Sequence, residues 1–303
     1  MKNNAITRRM QRLSDQWRVF TDDQTARLLC WQLDHDEVQM FDTWLEVESD
    51  EQSAQHPDVF VTLQTPFVDR ARHGFALAET FRLGLQDGET ELRDLGLRHA
   101  LELPAPDADA TDIAHWIDRC EAFRSYYAIG GLLVLVLRPS GVSDREAYRA
   151  WLHALSIALP REVRTIILDD ARNPAFIQLC ANEHAQVRTA LAALDMPRAL
   201  EELSRDAGHL DTPGGQFRDL FVRLGNALAK PDLASALALG DAALALTREQ
   251  SLWHLSVPVH FALASGLLAH ARAPEAVAHY RAAKTRLEKR SSKAATKRTR
   301  PHN

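Results

Sequence analysis

The chain has 303 residues, of which 46% are hydrophobic and 25% charged, and its formal net charge is −5. This composition is typical of a globular protein and excludes collagen-like and wholly disordered chains, while the length suggests about two domains. Three widely spaced cysteines without a CxxC pair argue against a disulfide framework. The sequence has neither an apolar run of the ~18–20 residues that a membrane helix needs nor the apolar segment of a secretory signal. We therefore expect a cytoplasmic protein without a membrane partner.

Charge is distributed unevenly along the chain. Residues 281–303 hold nine basic residues and one acidic residue, a net charge of +8, which leaves −13 for residues 1–280. A basic tail can bind nucleic acid or an anionic membrane, or it can remain solvated and fold back on an acidic body. The tail has no aromatic residue on which a base could stack, and an acidic body repels phosphates. We therefore expect nucleic-acid binding, if any, only through the tail.

Two amphipathic helices are predicted near the N-terminus, after a polar helix or arm over residues 1–17. Thr21 and Gln24 have the spacing of a capping box, which predicts a helix continuing to Leu33. The acidic stretch that follows Leu33 is predicted to end this helix and to cap the start of the next one. Apolar residues then recur at helical spacing from Val38, which predicts the second helix.

Strands and helices alternate over the next part of the chain. Short β-branched or wholly apolar runs predict strands, and helical spacing predicts the helices between them. The strands are predicted at Asp58–Leu63, Leu132–Leu137, Val163–Leu168 and Val187–Leu191, and the helices at Val68–Gln86, Ile113–Tyr127, Ser143–Leu159 and Pro174–Ala181. Ser143 and Glu146 form a second capping box, and residues 104–111 are the clearest internal linker.

This alternation is typical of an α/β domain with a short parallel sheet and flanking helices. We place that domain at residues 20–195, after the N-terminal polar helix or arm at 1–19. The run from Leu132 to Leu137 is apolar on both faces, which favours a strand inside a covered parallel sheet.

An all-α domain is predicted after Met196, at residues 196–290, with a basic disordered tail at 291–303. Its helices are predicted at 197–206, 216–230, 232–247, 254–270 and 273–290, and the short connections imply antiparallel neighbours. Small and large residues alternate in the last two helices, as in a tetratricopeptide helical hairpin. Ala236 and Ala276 are 40 residues apart, which is longer than the usual repeat, so an unspecific helical bundle remains the alternative.

The sequence contains no recognisable catalytic motif. It has no Gly-Lys pair for a phosphate loop, no GxGxxG, no GxSxG elbow and no HExxH pair. Cys30, Cys120 and Cys180 lie on predicted apolar helix faces, which indicates inert buried thiols. Asp169 and Asp170 end a predicted strand, where two carboxylates either hold magnesium or cap the following turn. We expect no catalytic residue, no cofactor and no metal, with Asp169 and Asp170 as the candidates for a divalent metal in an alternative α/β enzyme.

Several segments spread over residues 20–285 carry a resemblance to a known group of proteins. The segments are 23–48 with Trp31, Met40 and Glu46, 58–67, 194–197, and Gly214 with Phe217 and Arg218, followed by the degenerate helical hairpins. Together they resemble tetratricopeptide-like accessory proteins encoded beside bacterial type VI secretion effectors and spike components. The resemblance implies a chaperone or adaptor that holds an effector before loading, and it carries over no catalytic residue.

We therefore expect a non-catalytic protein-binding accessory factor, whose partner is a secreted effector or a spike component. Helical repeats form concave faces that accept peptides or helices. The partner-binding residues are expected in the helical hairpins, and they are Leu224, Leu228, Trp253, His260, Leu267 and Tyr280. The acidic body favours a basic partner segment and salt-sensitive association.

Overall fold

The computed structural model describes residues 4–50, 52–88, 111–176, 179, 185–208, 210–230 and 232–298, with side chains up to residue 287. The chain divides into two compact units. One contains residues 8–194, which we call the sheet unit. The other contains residues 1–7 with 195–303, which we call the helical unit. Among the described helices, none has both the length and the apolar character needed to cross a bilayer.

The sheet unit contains a wholly parallel sheet, as predicted, but the sheet has five strands rather than the four that were predicted. The strands are β1 (Leu28–Leu33), β2 (Val59–Leu63), β3 (Leu133–Leu137), β4 (Val163–Asp170) and β5 (Val187–Leu191), in the spatial order β2-β3-β4-β1-β5. The helices are α1 (Ala5–Asp22, of which residues 8–22 belong to this unit), α2 (Val38–Ser49), α3 (His73–Asp87), α4 (Asp112–Tyr126) and α5 (Arg145–Ala158), and a 3₁₀ turn at His35–Glu37 precedes α2. Every residue of β3 is buried, as the prediction of a covered strand required.

Helices cover both faces of the sheet. Trp31 of β1 packs on one face against Phe41 and Trp44 of α2, with ring centroids 5.3 Å apart in each pair, and Trp17 of α1 completes this aromatic cluster. On the other face, apolar side chains of α3, α4 and α5 share one continuous core with the strands. Burial on both faces explains why β3 is an apolar run without polar alternation.

The helix predicted from Thr21 to Leu33 is wrong. Thr21 lies at the end of α1, and Asp23 closes a turn by accepting hydrogen bonds from the amide and hydroxyl of Thr25. The residues that follow form β1, which pairs with β4 on one side and β5 on the other. Leu28 and Trp31 have no exposed surface, so this segment has no polar face to present to water as an amphipathic helix would.

Two further helices begin later in the chain than was predicted. Helix α3 begins at His73 rather than Val68, because Phe67 is held in a bridge with Val142. Asp144, not Ser143, caps α5 by accepting hydrogen bonds from the amides of the next turn. Residues 104–110 of the predicted linker and half of the residues of the predicted helix at 174–181 lie outside the described residues.

The helical unit contains α6 (Met196–Asp206), α7 (Pro213–Leu228), α8 (Leu233–Glu249), α9 (Ser256–Ala269) and α10 (Ala273–Arg298), with a 3₁₀ turn at Trp253–Leu255. Helix α8 packs on α7, α10 packs on α9, and α9 also contacts α7 and α8. The segment predicted as a disordered tail overlaps α10 up to Arg298, and residues 299–303 lie outside the described residues.

Two glycines permit close packing of α9 against α7 and α8. A Cβ atom at Gly240 would lie 2.6 Å from Cδ2 of Leu263, and one at Gly266 would lie 2.3 Å from Cδ2 of Leu228. The absence of a side chain at these two positions therefore lets α8 and α7 approach α9.

Gly131 makes a similar approach before β3, and we expect its replacement by alanine to destabilise the sheet unit. A Cβ atom there would lie 2.0 Å from the carbonyl oxygen of Pro57, which precedes β2. Overpacking of this kind costs about 1–3 kcal/mol, so Gly131→Ala should lower the urea midpoint clearly. Gly130→Ala is the matched control, because no atom lies within 4 Å of a Cβ atom built there. Equal midpoints for the two variants would contradict this expectation.

Candidate functional site

The sheet unit has a cleft at the carboxyl edge of its parallel strands, where α/β sheets bind ligands. Its volume is about 720 Å³, and Leu33, Leu137 and Ile167 line it from β1, β3 and β4. The chain leaves β1 for α2 on one face, while the chain that leaves β4 packs Phe176 into the core on the opposite face. The cleft therefore lies at the point where the direction of the connections reverses.

Asp169 borders this cleft, but its carboxylate is engaged by the backbone. Oδ1 accepts hydrogen bonds from the amides of Asp170 at 3.0 Å and Ala175 at 2.8 Å, and Oδ2 accepts one from the amide of Phe176 at 3.0 Å. Asp170 is exposed and accepts a hydrogen bond from the amide of Arg172 at 2.9 Å. These contacts support the turn-capping interpretation of the two residues.

The other buried carboxylates of the sheet unit serve similar structural roles. Glu37 accepts hydrogen bonds from the amides of Asp34 and Leu194, and Glu48 accepts them from the amides of Gln55 and His56. Among the residues that the structure describes, no group of three His, Cys, Asp or Glu side chains is placed to hold a metal ion. These buried carboxylates thus stabilise loops and helix starts.

The described cysteines are buried, and Arg138 of the cleft is paired with a carboxylate. Cys30 and Cys120 are buried, and burial raises the pKa of Cys120 far above its usual range, so this thiol stays protonated. Cys180 lies outside the described residues. Arg138, in the wall of the cleft, forms an ion pair with Asp42 of α2. This pair gives the Arg138 guanidinium a structural partner inside the protein.

The helical unit contains the six residues predicted to bind a partner, and most of them lie between helices. Leu224 and Leu267 have no exposed surface, and His260 is 6% exposed. Leu228 and Tyr280 are half-buried and pack against the core clusters of the unit. These five side chains hold the helices together.

Trp253 alone among the six is largely exposed, at 45% of its surface. It belongs to the 3₁₀ turn that precedes α9. A partner can therefore reach Trp253 without separating helices, and it can reach the exposed part of the half-buried Tyr280.

Helix α9 carries no charged side chain of the Asp, Glu, Lys or Arg type among its fourteen residues, and Ser265 is the polar residue exposed on its outer side. Val259, Leu263 and Leu267 are buried on its inner side, whereas Phe261 and Leu268 are 45% and 47% exposed on its outer side. A surface helix normally turns charged or polar side chains to water, so two large apolar side chains on the outer side of α9 are exposed where most surface helices have polar ones.

Helix α10 extends this exposed apolar surface. Val277 and Leu287 are 42% and 43% exposed, and Tyr280 lies on the same helix face between them. The ring of Tyr280 meets that of Phe261 edge to face, with centroids 5.7 Å apart. We call the surface formed by Phe261, Leu268, Val277, Tyr280 and Leu287 the apolar stripe.

Four of the five residues of the apolar stripe were missed by the sequence reasoning. The alternation of small and large residues pointed to the side chains that pack helix on helix, which are the buried ones. The signal that could have identified the outer side was the charge-free run of α9, where large apolar residues occur beyond those needed for one buried face.

A histidine pair joins α9 to α10 beside the apolar stripe. Nδ1 of His260 lies 3.0 Å from Nδ1 of His279, so one ring donates its proton to the other. Burial, together with the nearby charge of Arg286 and with His279, lowers the pKa of His260 to about 4. His260 is therefore neutral in the folded protein at pH 7.

Acidification is expected to destabilise the helical unit through His260. The unfolded chain takes up a proton near the ordinary pKa of 6.5, whereas the folded protein does so only near 4. The contribution of neutral His260 to the free energy of unfolding is therefore fully present above pH 6.5 and is lost as the pH drops towards 4. Denaturant unfolding between pH 7.5 and 4.5 should show a steeper loss for the wild type than for His260→Gln. Parallel pH profiles of the two proteins would contradict this assignment.

No protein-family model matches the chain, and no curated protein matches it either.

Proposed function

We propose that this protein is a non-catalytic accessory factor that binds a protein partner through the apolar stripe of its helical unit. The observation that carries the proposal is the exposed outer side of α9, a helix without a charged residue. Exposed contiguous apolar surface of this kind marks interaction sites in proteins. The tetratricopeptide-like character of the hairpins is part of the same proposal, since stacked hairpins present such surfaces to peptides and helices.

The partner in this proposal is a secreted effector or a spike component of a type VI secretion system, held by a cytoplasmic chaperone or adaptor. The resemblance of residues 20–285 to accessory proteins of these systems supports this assignment. The engagement of Asp169 and Asp170 by backbone amides supports a structural role for them rather than the alternative, a metal-dependent α/β enzyme.

Affinity purification from the native host tests the proposal. We expect the tagged wild type to recover an effector or a spike protein, and the double variant Phe261→Ser with Leu268→Ser to lose it at least tenfold. Leu200→Ser is the matched control, because Leu200 is similarly exposed at 43% but belongs to α6, outside the stripe. Equal recovery by the wild type and the double variant would contradict the proposal, as would recovery of no specific protein by the wild type.

A further inference from the structure

We propose that the cleft at the carboxyl edge of the sheet unit binds a small organic carboxylate with an apolar body, held by Arg145 and Tyr148 of α5. The apolar stripe belongs to the other unit, so this inference does not depend on the proposed function. Three features of the cleft support it: apolar strand ends, a guanidinium without a partner and a buried hydroxyl without a partner.

The strand ends give the cleft an apolar surface. Leu33, Leu137 and Ile167 line it from three neighbouring strands, and Val142 and Phe176 add apolar surface from the loops after β3 and β4. Its volume of about 720 Å³ lies within the range of small-molecule sites, roughly 300–1,000 Å³. Such sites bury an apolar ligand body and orient it with a few polar groups.

Arg145 supplies a cation that the described structure leaves uncommitted. It lines the cleft and is exposed, and its guanidinium forms no ion pair or hydrogen bond with another described residue. Arg145 is also the first residue of α5, where a positive charge opposes the helix dipole. Asp144 caps the amides of Glu146 and Ala147, so an anion here is held by the Arg145 side chain and not by the helix end.

Tyr148 adds a hydroxyl without a partner. It follows Arg145 by three residues, which places both on one side of α5, and it also lines the cleft. Its side chain is 1% exposed, and its hydroxyl has no hydrogen-bond partner among the described residues. Burial raises the pKa of Tyr148 far above its usual range, so the phenol keeps its proton as a donor. Buried hydroxyls normally have a partner, and a carboxylate bound beside Arg145 supplies the acceptor.

The other titratable groups of the cleft favour a ligand with a single negative charge. Arg138 is paired with Asp42, Asp169 accepts three backbone amides, and Asp170 accepts the amide of Arg172. His35, the remaining titratable residue of the lining, is exposed. The charge without a partner is therefore positive.

The same carboxylates count against a more highly charged ligand. A phosphate dianion or a nucleotide would bring further negative charge into a cleft that Asp169 and Asp170 already line, and like charges repel. The chain also has no Gly-Lys pair for a phosphate loop. A monocarboxylate with an apolar body fits both observations.

The test uses the full chain and three probes that share one phenyl ring and one chain length. They are 3-phenylpropanoate, 3-phenylpropanamide and 3-phenylpropylamine, which are anionic, neutral and cationic at pH 7. Affinities are measured by NMR titration of the isotope-labelled protein. We expect the carboxylate to bind more tightly than the amide by about fivefold or more, and the amine to bind most weakly, because only the carboxylate makes charge-assisted hydrogen bonds with Arg145.

Two variants test the assigned groups. Arg145→Gln should weaken binding of 3-phenylpropanoate by about fivefold or more and leave the amide within about twofold. Tyr148→Phe should weaken the carboxylate by about threefold without lowering the urea midpoint of the free protein, because the hydroxyl has no partner there to lose. Arg161→Gln is the matched control, since Arg161 is exposed but precedes β4, at the amino edge of the same sheet. It should leave all three affinities unchanged.

Three results would overturn the inference. The first is equal binding of the carboxylate and the amide, or no binding of the carboxylate. The second is binding that Phe261→Ser abolishes and Arg145→Gln does not, because the probe would then lie on the apolar stripe. The third is tighter binding of AMP than of 3-phenylpropanoate, which would replace the carboxylate by a nucleotide phosphate.

Discussion

Asp169→Ala is expected to lower the free energy of unfolding by about 3 kcal/mol. The variant removes the acceptor for three backbone amides, those of Asp170, Ala175 and Phe176. An amide left without a partner in a buried site costs about 1–3 kcal/mol, and water entering from the adjacent cleft offsets part of this sum. Denaturant unfolding measured by circular dichroism gives the difference directly.

Asp170→Ala is the control for this prediction. Asp170 is exposed and accepts a single hydrogen bond, from the amide of Arg172, so its loss should cost less than about 1 kcal/mol. Calorimetric titration with magnesium and nucleotides, carried out on the same proteins, tests the enzyme alternative. Metal binding by the wild type that disappears in Asp169→Asn, with unchanged unfolding, would show that the carboxylate serves a ligand rather than the fold.

Trp44→Ala is expected to cost more than any other substitution considered for this protein, about 3–5 kcal/mol. Trp44 is 1% exposed and lies at the centre of the aromatic cluster, where its ring contacts those of Trp17, Trp31 and Phe60. Its indole Nε1 donates a hydrogen bond to the hydroxyl of Ser14 at 2.9 Å. Truncation therefore removes a large buried ring and one of the two hydrogen bonds of the Ser14 hydroxyl, whose other bond is to Glu48.

Two further variants make this prediction specific. Trp44→Phe keeps an aromatic ring and loses the indole donor, so we expect a smaller cost, of about 1–2 kcal/mol. Trp253→Ala removes a tryptophan that is 45% exposed and should cost less than about 1 kcal/mol. Urea unfolding of the three variants ranks them. A cost for Trp253→Ala as large as that for Trp44→Ala would mean that the aromatic cluster does not organise the sheet unit.

The sequence predicted four of the five strands because their signals are local. The runs that end at Leu63, Leu137, Leu168 and Leu191 are short and are β-branched or wholly apolar. This local pattern favours a strand without reference to neighbouring segments. Strand β1 was missed because Thr21 and Gln24 imitate a capping box. Only the pairing of β1 with both β4 and β5 shows that the residues after this apparent capping box form an interior strand of the sheet.

The candidate site was also only partly predictable from local sequence signals. Sequence placed Asp169 and Asp170 at a strand end and left open whether they bind metal or cap a turn. The choice depends on amides at Ala175 and Phe176, whose distance from the carboxylate is set by the path of the loop after β4. For the helical unit, helical periodicity predicted the helices, but not which of their apolar faces remain uncovered.

The sequence by itself determined the alternation of strands and helices, the helical second half, the absence of recognisable catalytic motifs and the basic charge beyond residue 280. These properties depend on residues close together in the chain, through spacing, capping and composition. The tertiary structure alone decided the strand order, the engagement of Asp169 and the exposure of Phe261 and Leu268. Each of these depends on which distant segments meet, and a local pattern carries no information about whether a face finds a neighbour.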